Sequence, residues 1–186
     1  LSAWAGDVLL RNHVLGLAFE LGRRAPRTIP AMHRALTRIA GTTRRVDRSY
    51  RIFASPRLVR FTEMEYALPR ARAAEAVRAV LAVARRADLA VPMPIEVRFV
   101  APDDAFLSPA GGREAAYIAV HMYRRMRWEP YFRAVEEVMD GFDGRPHWGK
   151  RHFQTAATLA PRYPDWERFQ AVRRQPNPLE NVDDPL

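Results

Sequence analysis

The chain has no cysteine and a single lysine, and each scarcity narrows the chemistry open to it. Without thiols there is no disulfide, no thiolate metal site and no cysteine nucleophile, and bridges cannot indicate a redox compartment. A Gly-rich strand-to-helix turn that would cradle phosphates is missing as well, so this chain alone is not expected to bind a nucleotide cofactor. No Ser-centred nucleophile elbow occurs. Long apolar runs are absent too. The start, Leu1 to Gly22, is interrupted by Asp7, Arg11, His13 and Glu20 before it could cross a bilayer. It has neither the basic start nor the small-residue cleavage pattern of a secretory signal. The expected location is cytoplasmic, and a peripheral membrane contact is compatible with it. The first residue is Leu rather than Met, which fits a fragment or an excised domain.

What is present is a globular composition: 186 residues with 48% apolar content, enough for one sizeable core. The net charge of +9 and a pI near 10.8 invite a nucleic-acid reading. The arginines are dispersed, however, as the pairs Arg23-Arg24, Arg44-Arg45, Arg85-Arg86, Arg124-Arg125 and Arg173-Arg174, with acidic residues between most of them. Solvated helix faces account for such a pattern, and no nucleic-acid partner is expected. Against 29 arginines stands Lys150, in the run Arg145-Pro146-His147-Trp148-Gly149-Lys150. An ammonium is a compact point charge with a movable pKa and a guanidinium is a fixed planar fork, so the exception is a candidate site residue.

Periodicity predicts two helices between about Asp7 and Gly41, divided by Pro26 and Pro30, the second with Met32, Leu36 and Ile39 on one face. Thr42 to Arg48 reads as a connection. Ser49 to Leu68 reads as β-like, through Tyr50, Ile52 and Phe53 and then Val59, Phe61, Met64 and Tyr66. Arg70 to Asp88 reads as a helix with Ala74, Val77, Leu81 and Ala84 inward. Strands are expected over Ile95 to Val100 and Tyr117 to Tyr123, joined by a turn-rich loop containing Ser108-Pro109-Ala110-Gly111-Gly112. A helix then carries Trp128, Phe132, Val135 and Met139. Two more are expected near Phe153 to Leu159 and Asp165 to Arg174, the latter buried through Trp166, Phe169 and Val172. The tail from Gln175 reads as loose. The fold class is α+β, a mainly antiparallel sheet flanked by helices.

On the strand Ile95 to Val100 the period of two sends Glu96 and Arg98 to one face and Val97 and Phe99 to the other. Likewise His121 and Tyr123 share a face opposite Ile118, Val120 and Met122. On periodicity alone the first pair reads as a surface ion pair and His121 as a structural histidine. His147 and His152 are five apart, wrong for two ligands on one helical face, and no metal is expected.

Five runs in order carry a resemblance: Asp47-Arg48-Ser49-Tyr50; Glu63-Met64-Glu65-Tyr66-Ala67; Pro94-Ile95-Glu96-Val97-Arg98-Phe99; Asp104 with Leu107-Ser108; and Arg145-Pro146-His147-Trp148-Gly149-Lys150. Over about residues 47 to 174 the chain resembles the C-terminal, substrate-binding portion of FAD-dependent aldonolactone oxidoreductases. That group contains L-gulono-1,4-lactone oxidases and dehydrogenases, D-arabinono-1,4-lactone oxidases and alditol oxidases. The resemblance implies a cap domain, residues 1–174 with a helical segment 1–41 and a tail 175–186, whose sheet covers a flavin. FAD itself is then held mainly by a separate N-terminal domain, in cis or in trans, and the chain alone is inactive. The residues from Gln175 to Asn181 follow the family only loosely.

Carried over residue by residue, the resemblance makes Glu96, Arg98 and Lys150 catalytic, His121 and Tyr123 substrate-binding, and Lys150 with His147 cofactor-binding. The substrate implied is a sugar lactone or a polyol. Arg98 and Lys150 would stabilise charge on the developing alkoxide and the reduced ring, while Glu96 accepts hydrogen bonds from substrate hydroxyls. A reading from another class is a non-catalytic remnant or basic interaction module that binds an acidic partner through its arginines.

Overall fold

The computed structural model describes residues 11–40, 44, 46, 48–53, 58–86 and 88–175. Most of the Thr42 to Arg48 connection and all but the first residue of the tail lie outside the described residues. Helix α1 spans Arg11–Arg24 and α2 spans Ile29–Ala40, with a 3-10 turn over Pro26–Thr28 between them. Pro30 falls in the first turn of α2, where a missing N–H breaks no helical hydrogen bond. A short α3 follows at Ser49–Phe53. Strand β1 (Phe61–Pro69) leads through a 3-10 turn to α4 (Ala73–Ala84), then to β2 (Glu96–Val100), β3 (Ala115–Tyr123) and α5 (Glu129–Asp140). The chain ends with β4 (Arg145–Pro146), α6 (Ala156–Leu159) and α7 (Trp166–Arg173). Among the described residues no helix is long and apolar enough to cross a membrane.

The sheet has the order β2-β3-β1-β4, and every neighbouring pair is antiparallel. Its β1–β3 register runs from Phe61 opposite Tyr123 to Pro69 opposite Ala115. Alternation then divides the two faces. Met64, Tyr66 and Leu68 of β1 join Ile118, Val120 and Met122 of β3 on one side, against Ala76 and Val80 of α4 and Phe132, Val135 and Met139 of α5. These are fully or almost fully buried, and each large side chain contributes about 1.5–3 kcal/mol. The opposite face carries Glu63, Glu65 and Ala67 of β1 and Tyr117, Ala119 and His121 of β3. Helices cover one side and leave the other to polar residues.

Three expectations need correction. Ser49 to Phe53 is a helix: among the described residues no strand lies alongside to complete a ladder, and the Ile52 N–H closes a local bond to the Arg48 carbonyl at 3.2 Å. In α4 the buried residues are Ala73, Ala76 and Val80, while Ala74 is exposed. This Ala/Val-rich helix is apolar nearly all round, so its spacing could not select the face. In α7 only Gln170 is buried and Val172 is 55% exposed. A periodic stripe says which residues share a face, not whether a layer lies opposite. The same reasoning applies to Val97 and Phe99, which face the helix side yet stay exposed. The buried core draws on β1 and β3 but takes no residue from the outer strand β2.

The turn after α5 is the tightest point that fixes the strand leading to the polar face. Asp143 takes a left-handed φ of 57°, and the Gly144 N–H returns to the Met139 carbonyl at 2.9 Å. A Cβ on Gly144 would lie 2.7 Å from that carbonyl oxygen and 3.0 Å from Tyr66 Cδ1. Gly144→Ala should therefore lower the stability of the full-length protein by about 1–3 kcal/mol in urea unfolding. Gly16→Ala, whose Cβ meets nothing closer than Val59 at 3.7 Å inside a helix, should be neutral or stabilising by up to about 1 kcal/mol.

Candidate active site

Lys150 reaches the polar face because the chain after β4 stays on the edge of β1 but bulges. Tyr66 pairs with Pro146, the His147 N–H donates to the Glu65 carbonyl at 2.9 Å, and the Arg151 N–H donates to the Glu63 carbonyl at 3.0 Å. Two steps along β1 are thus matched by four along the incoming chain, so Trp148, Gly149 and Lys150 loop out. The loop is anchored on both sides. Trp148 Nε1–H donates to the Leu107 carbonyl at 2.7 Å, and its ring lies 5.4 Å from that of Tyr163. Beneath, buried Glu136 accepts from the Tyr66 hydroxyl and from the Phe153 N–H at 2.9 Å.

On the face itself, charges alternate in one connected run. His121 Nε2 lies 3.2 Å from Glu63 Oε1, and Lys150 Nζ donates to the same oxygen at 2.6 Å. Lys150 also donates to Glu65 Oε2, while Arg98 Nη2 donates to Glu65 Oε1. Arg98 Nε then faces Glu96 Oε1 at 3.4 Å. The register explains this span: Glu65, Ala119 and Glu96 lie in one row across three strands, and a methyl at the centre leaves room for Arg98 to reach over β3. Side-chain exposure is 0% at Glu65, 6% at His121, 19% at Lys150 and 21% at Glu63, and is larger toward the outer strand, 43% at Glu96 and 50% at Arg98.

The electrostatics follow from this geometry. For Glu63, burial is the largest single influence and pushes its carboxyl up. Hydrogen bonds from His121 and Lys150, together with their positive charges, outweigh it and hold the value at about 2 rather than 4.5. The hydrogen bond to Glu65 raises the Arg98 guanidinium further, against the opposing effect of burial. Both ring nitrogens of His121 are engaged within the protein, since Nδ1 lies 3.2 Å from the Pro94 carbonyl oxygen.

With that site in place, similarity to known proteins decides the family. The model of the D-arabinono-1,4-lactone oxidase family matches residues 1–182. The chain belongs to that family. It is 54% identical over 167 residues to the L-gulono-1,4-lactone dehydrogenase of Mycobacterium tuberculosis, a match covering 90% of this chain and 39% of that protein. The alditol oxidase of a Streptomyces species is 41% identical over 121 residues, 62% of this chain and 28% of that protein. The L-gulonolactone oxidase of Bos taurus is 33% identical over 135 residues, 70% and 31% respectively. The chain spans about two-fifths or less of the length of these relatives.

Within this family member, the residues singled out from sequence are not all brought together. Glu96, Arg98, His121 and Lys150 belong to the charge run. Tyr123 lies at the far end of β3, its ring 6.1 Å from Phe19, and lines a separate cleft with Asn12, Gly16, Leu58 and Arg60. His147 turns its ring onto its own loop, where Nδ1 accepts the Gly149 N–H at 3.1 Å. Sequence reasoning missed Glu63 and Glu65 as site residues. The signal was present: the period of two puts both carboxylates on one face of β1, opposite Met64 and Tyr66, and two acids side by side on a strand call for cations.

Glu63 gives the site a pH dependence whose direction is fixed. Its folded value of about 2 lies below the ordinary 4.5, so its contribution is complete above about pH 4.5 and disappears as pH falls through 2. The shift corresponds to at most about 3 kcal/mol. The gap in unfolding free energy between the full-length protein and Glu63→Gln should be constant down to about pH 5, then shrink between about pH 4.5 and 2. Urea titrations at stepped pH measure it.

Proposed function

We propose that this chain is the substrate-binding part of an FAD-dependent oxidoreductase that oxidises a CH–OH group of a sugar 1,4-lactone, of the gulono or arabinono type, or of an alditol. The observation that carries the reading is the convergence of Lys150, from the loop after β4, with Arg98 and Glu96, from the outer strand β2, onto the polar face of the sheet. Family membership and the names of the relatives support the same chemistry. Among the described residues no Gly-rich phosphate cradle is present, so the reading assigns the hold on FAD mainly to another domain. The donor set does suit the flavin ring, because Lys150 and Arg98 present N–H groups at an edge that gains negative charge on reduction.

When bound, the flavin supplies the hydride acceptor. Lys150 and Arg98 would hold the substrate oxygen and favour the negative charge that develops there as its hydroxyl proton passes to water. Glu96 is the most exposed carboxylate of the run and takes hydrogen bonds from neighbouring hydroxyls, fixing the substrate in register. Glu63 and Glu65 are committed to the cations. The arginine-rich surface gives the alternative of a basic interaction module less support. Arg70, Arg72, Arg133 and Arg168 lie over the rings of Phe99, Phe142, Phe153 and Phe106, and Arg23, Arg86 and Arg113 pair with carboxylates.

In the full-length protein, Lys150→Met should cut lactone- or alditol-dependent flavin reduction by about 10²–10³-fold in stopped-flow absorbance while FAD remains bound. Undiminished reduction would remove Lys150 from the chemistry, and the reading with it.

A further inference from the structure

We infer that Glu65 is the positioning residue that joins Lys150 and Arg98 into one rigid pair of cations and sets the distance between them. The inference rests on the proposed role of those two cations and adds a residue that touches neither substrate nor flavin.

Three observations carry it. Glu65 is the one carboxylate of the run that binds both cations, Oε1 accepting from Arg98 and Oε2 from Lys150. Its side chain is fully buried, so a substrate arriving on the open face meets the cations and not the acid. Its backbone is fixed as well, flanked by β3 through Ala119 and by the Lys150 loop through the His147 N–H. Lys150 comes from a bulged loop and Arg98 from the outer strand, two elements with no ladder between them, and like charges repel. A single carboxylate with one oxygen for each cation is what holds them side by side. Of these two cations, Glu63 binds Lys150 alone and Glu96 binds Arg98 alone, each on the outer side. Removing either of those loosens one cation, whereas removing Glu65 separates the two.

The test uses the full-length protein with Glu65→Gln, close in volume, and Glu65→Asp, which keeps the charge but shortens the reach. Lys150 is this chain's one lysine, so reductive methylation followed by peptide mass spectrometry reports its amine as a single site without any turnover. Glu65→Gln should raise the methylation rate of Lys150 about tenfold, the equivalent of one charge-assisted hydrogen bond. It should lower kcat by about 10²-fold with KM changed by less than about threefold, the pattern of a lost transition-state interaction. Glu65→Asp should fold and shift both readouts the same way, since a shorter acid cannot reach both cations. In a Lys150→Met background Glu65→Gln should add clearly less than its own full loss, since only Arg98 remains to be released. Wild-type methylation and kcat in Glu65→Asp, or losses that multiply in the double variant, would overturn the inference and reduce Glu65 to a buried structural acid. A Lys150→Met variant that keeps full activity would instead sink the proposed chemistry, while the methylation result would still decide the role of Glu65.

Discussion

A carboxylate taken out of water on a sheet face costs several kcal/mol unless cations meet it, and Glu65 is met by two. This requirement organises the site. Neither cation can be supplied by β1 itself, since its ladder neighbours on that face are Ala119 and, through its backbone, the His147 N–H. Arg98 must reach across β3 from the outer strand, and Lys150 must be delivered by the bulged loop on the other side. The small side chain of Ala119 and the four-for-two mismatch at residues 147–151 are therefore parts of one electrostatic arrangement. Glu63 and His121 extend the run at one end and Glu96 at the other, giving each carboxylate a hydrogen-bonding or oppositely charged partner beside it.

The helix side of the sheet supports that arrangement from below. Tyr66 lies between Glu65 and Ala67 on β1 and points the other way, and its hydroxyl donates to Glu136 of α5. Burial, then the charge and hydrogen bond of Glu136, raise the Tyr66 hydroxyl well above its ordinary value, so it stays a donor. Glu136 also accepts the Phe153 N–H, three residues past Lys150. One buried acid thus ties the central strand, the main core helix and the exit of the Lys150 loop together. The Trp148 contact with the Leu107 carbonyl ties the entrance. Core packing and site geometry share these residues, so neither can be altered freely without the other.

Periodicity made the two long strands, α4 and α5, and the shared face of Glu96 and Arg98 legible from sequence. These depend on alternation or a 3.6 spacing, which are local properties. The family was legible because its runs are local too. What was not legible depends on what lies opposite. Tyr50, Ile52 and Phe53 have β-forming side chains, but a strand needs a neighbour, and among the described residues none runs alongside. Val172 completes an apolar stripe whose Trp166 and Phe169 are half-buried, but it is itself exposed, with no layer over it among the described residues. Glu63 and Glu65 were quoted in a matching run and passed over, because a single strand shows two acids on one face but not the lysine that loops in from 87 and 85 residues further on. His121 reads as a structural histidine on periodicity and as substrate-binding only through the resemblance, and its two nitrogens lie against the Pro94 carbonyl and Glu63.

The lone lysine can now be understood through shape as well as charge. Elsewhere the chain uses arginine, whose flat guanidinium stacks on rings, as Arg133 does over Phe153 at 4.0 Å and Arg72 over Phe142 at 4.2 Å. Between Glu63 and Glu65, two positions apart on the same strand face, the cation needed is small and directs its donors to separate acceptors. An ammonium has three N–H groups around one atom. Two are committed to Glu63 and Glu65, which leaves a third beside the open face of the sheet. A guanidinium that bound both acids would spread its charge across them in one plane and fill the space above. The point charge keeps that space clear, which is the condition for the approach of the substrate oxygen or flavin edge that the proposed function requires.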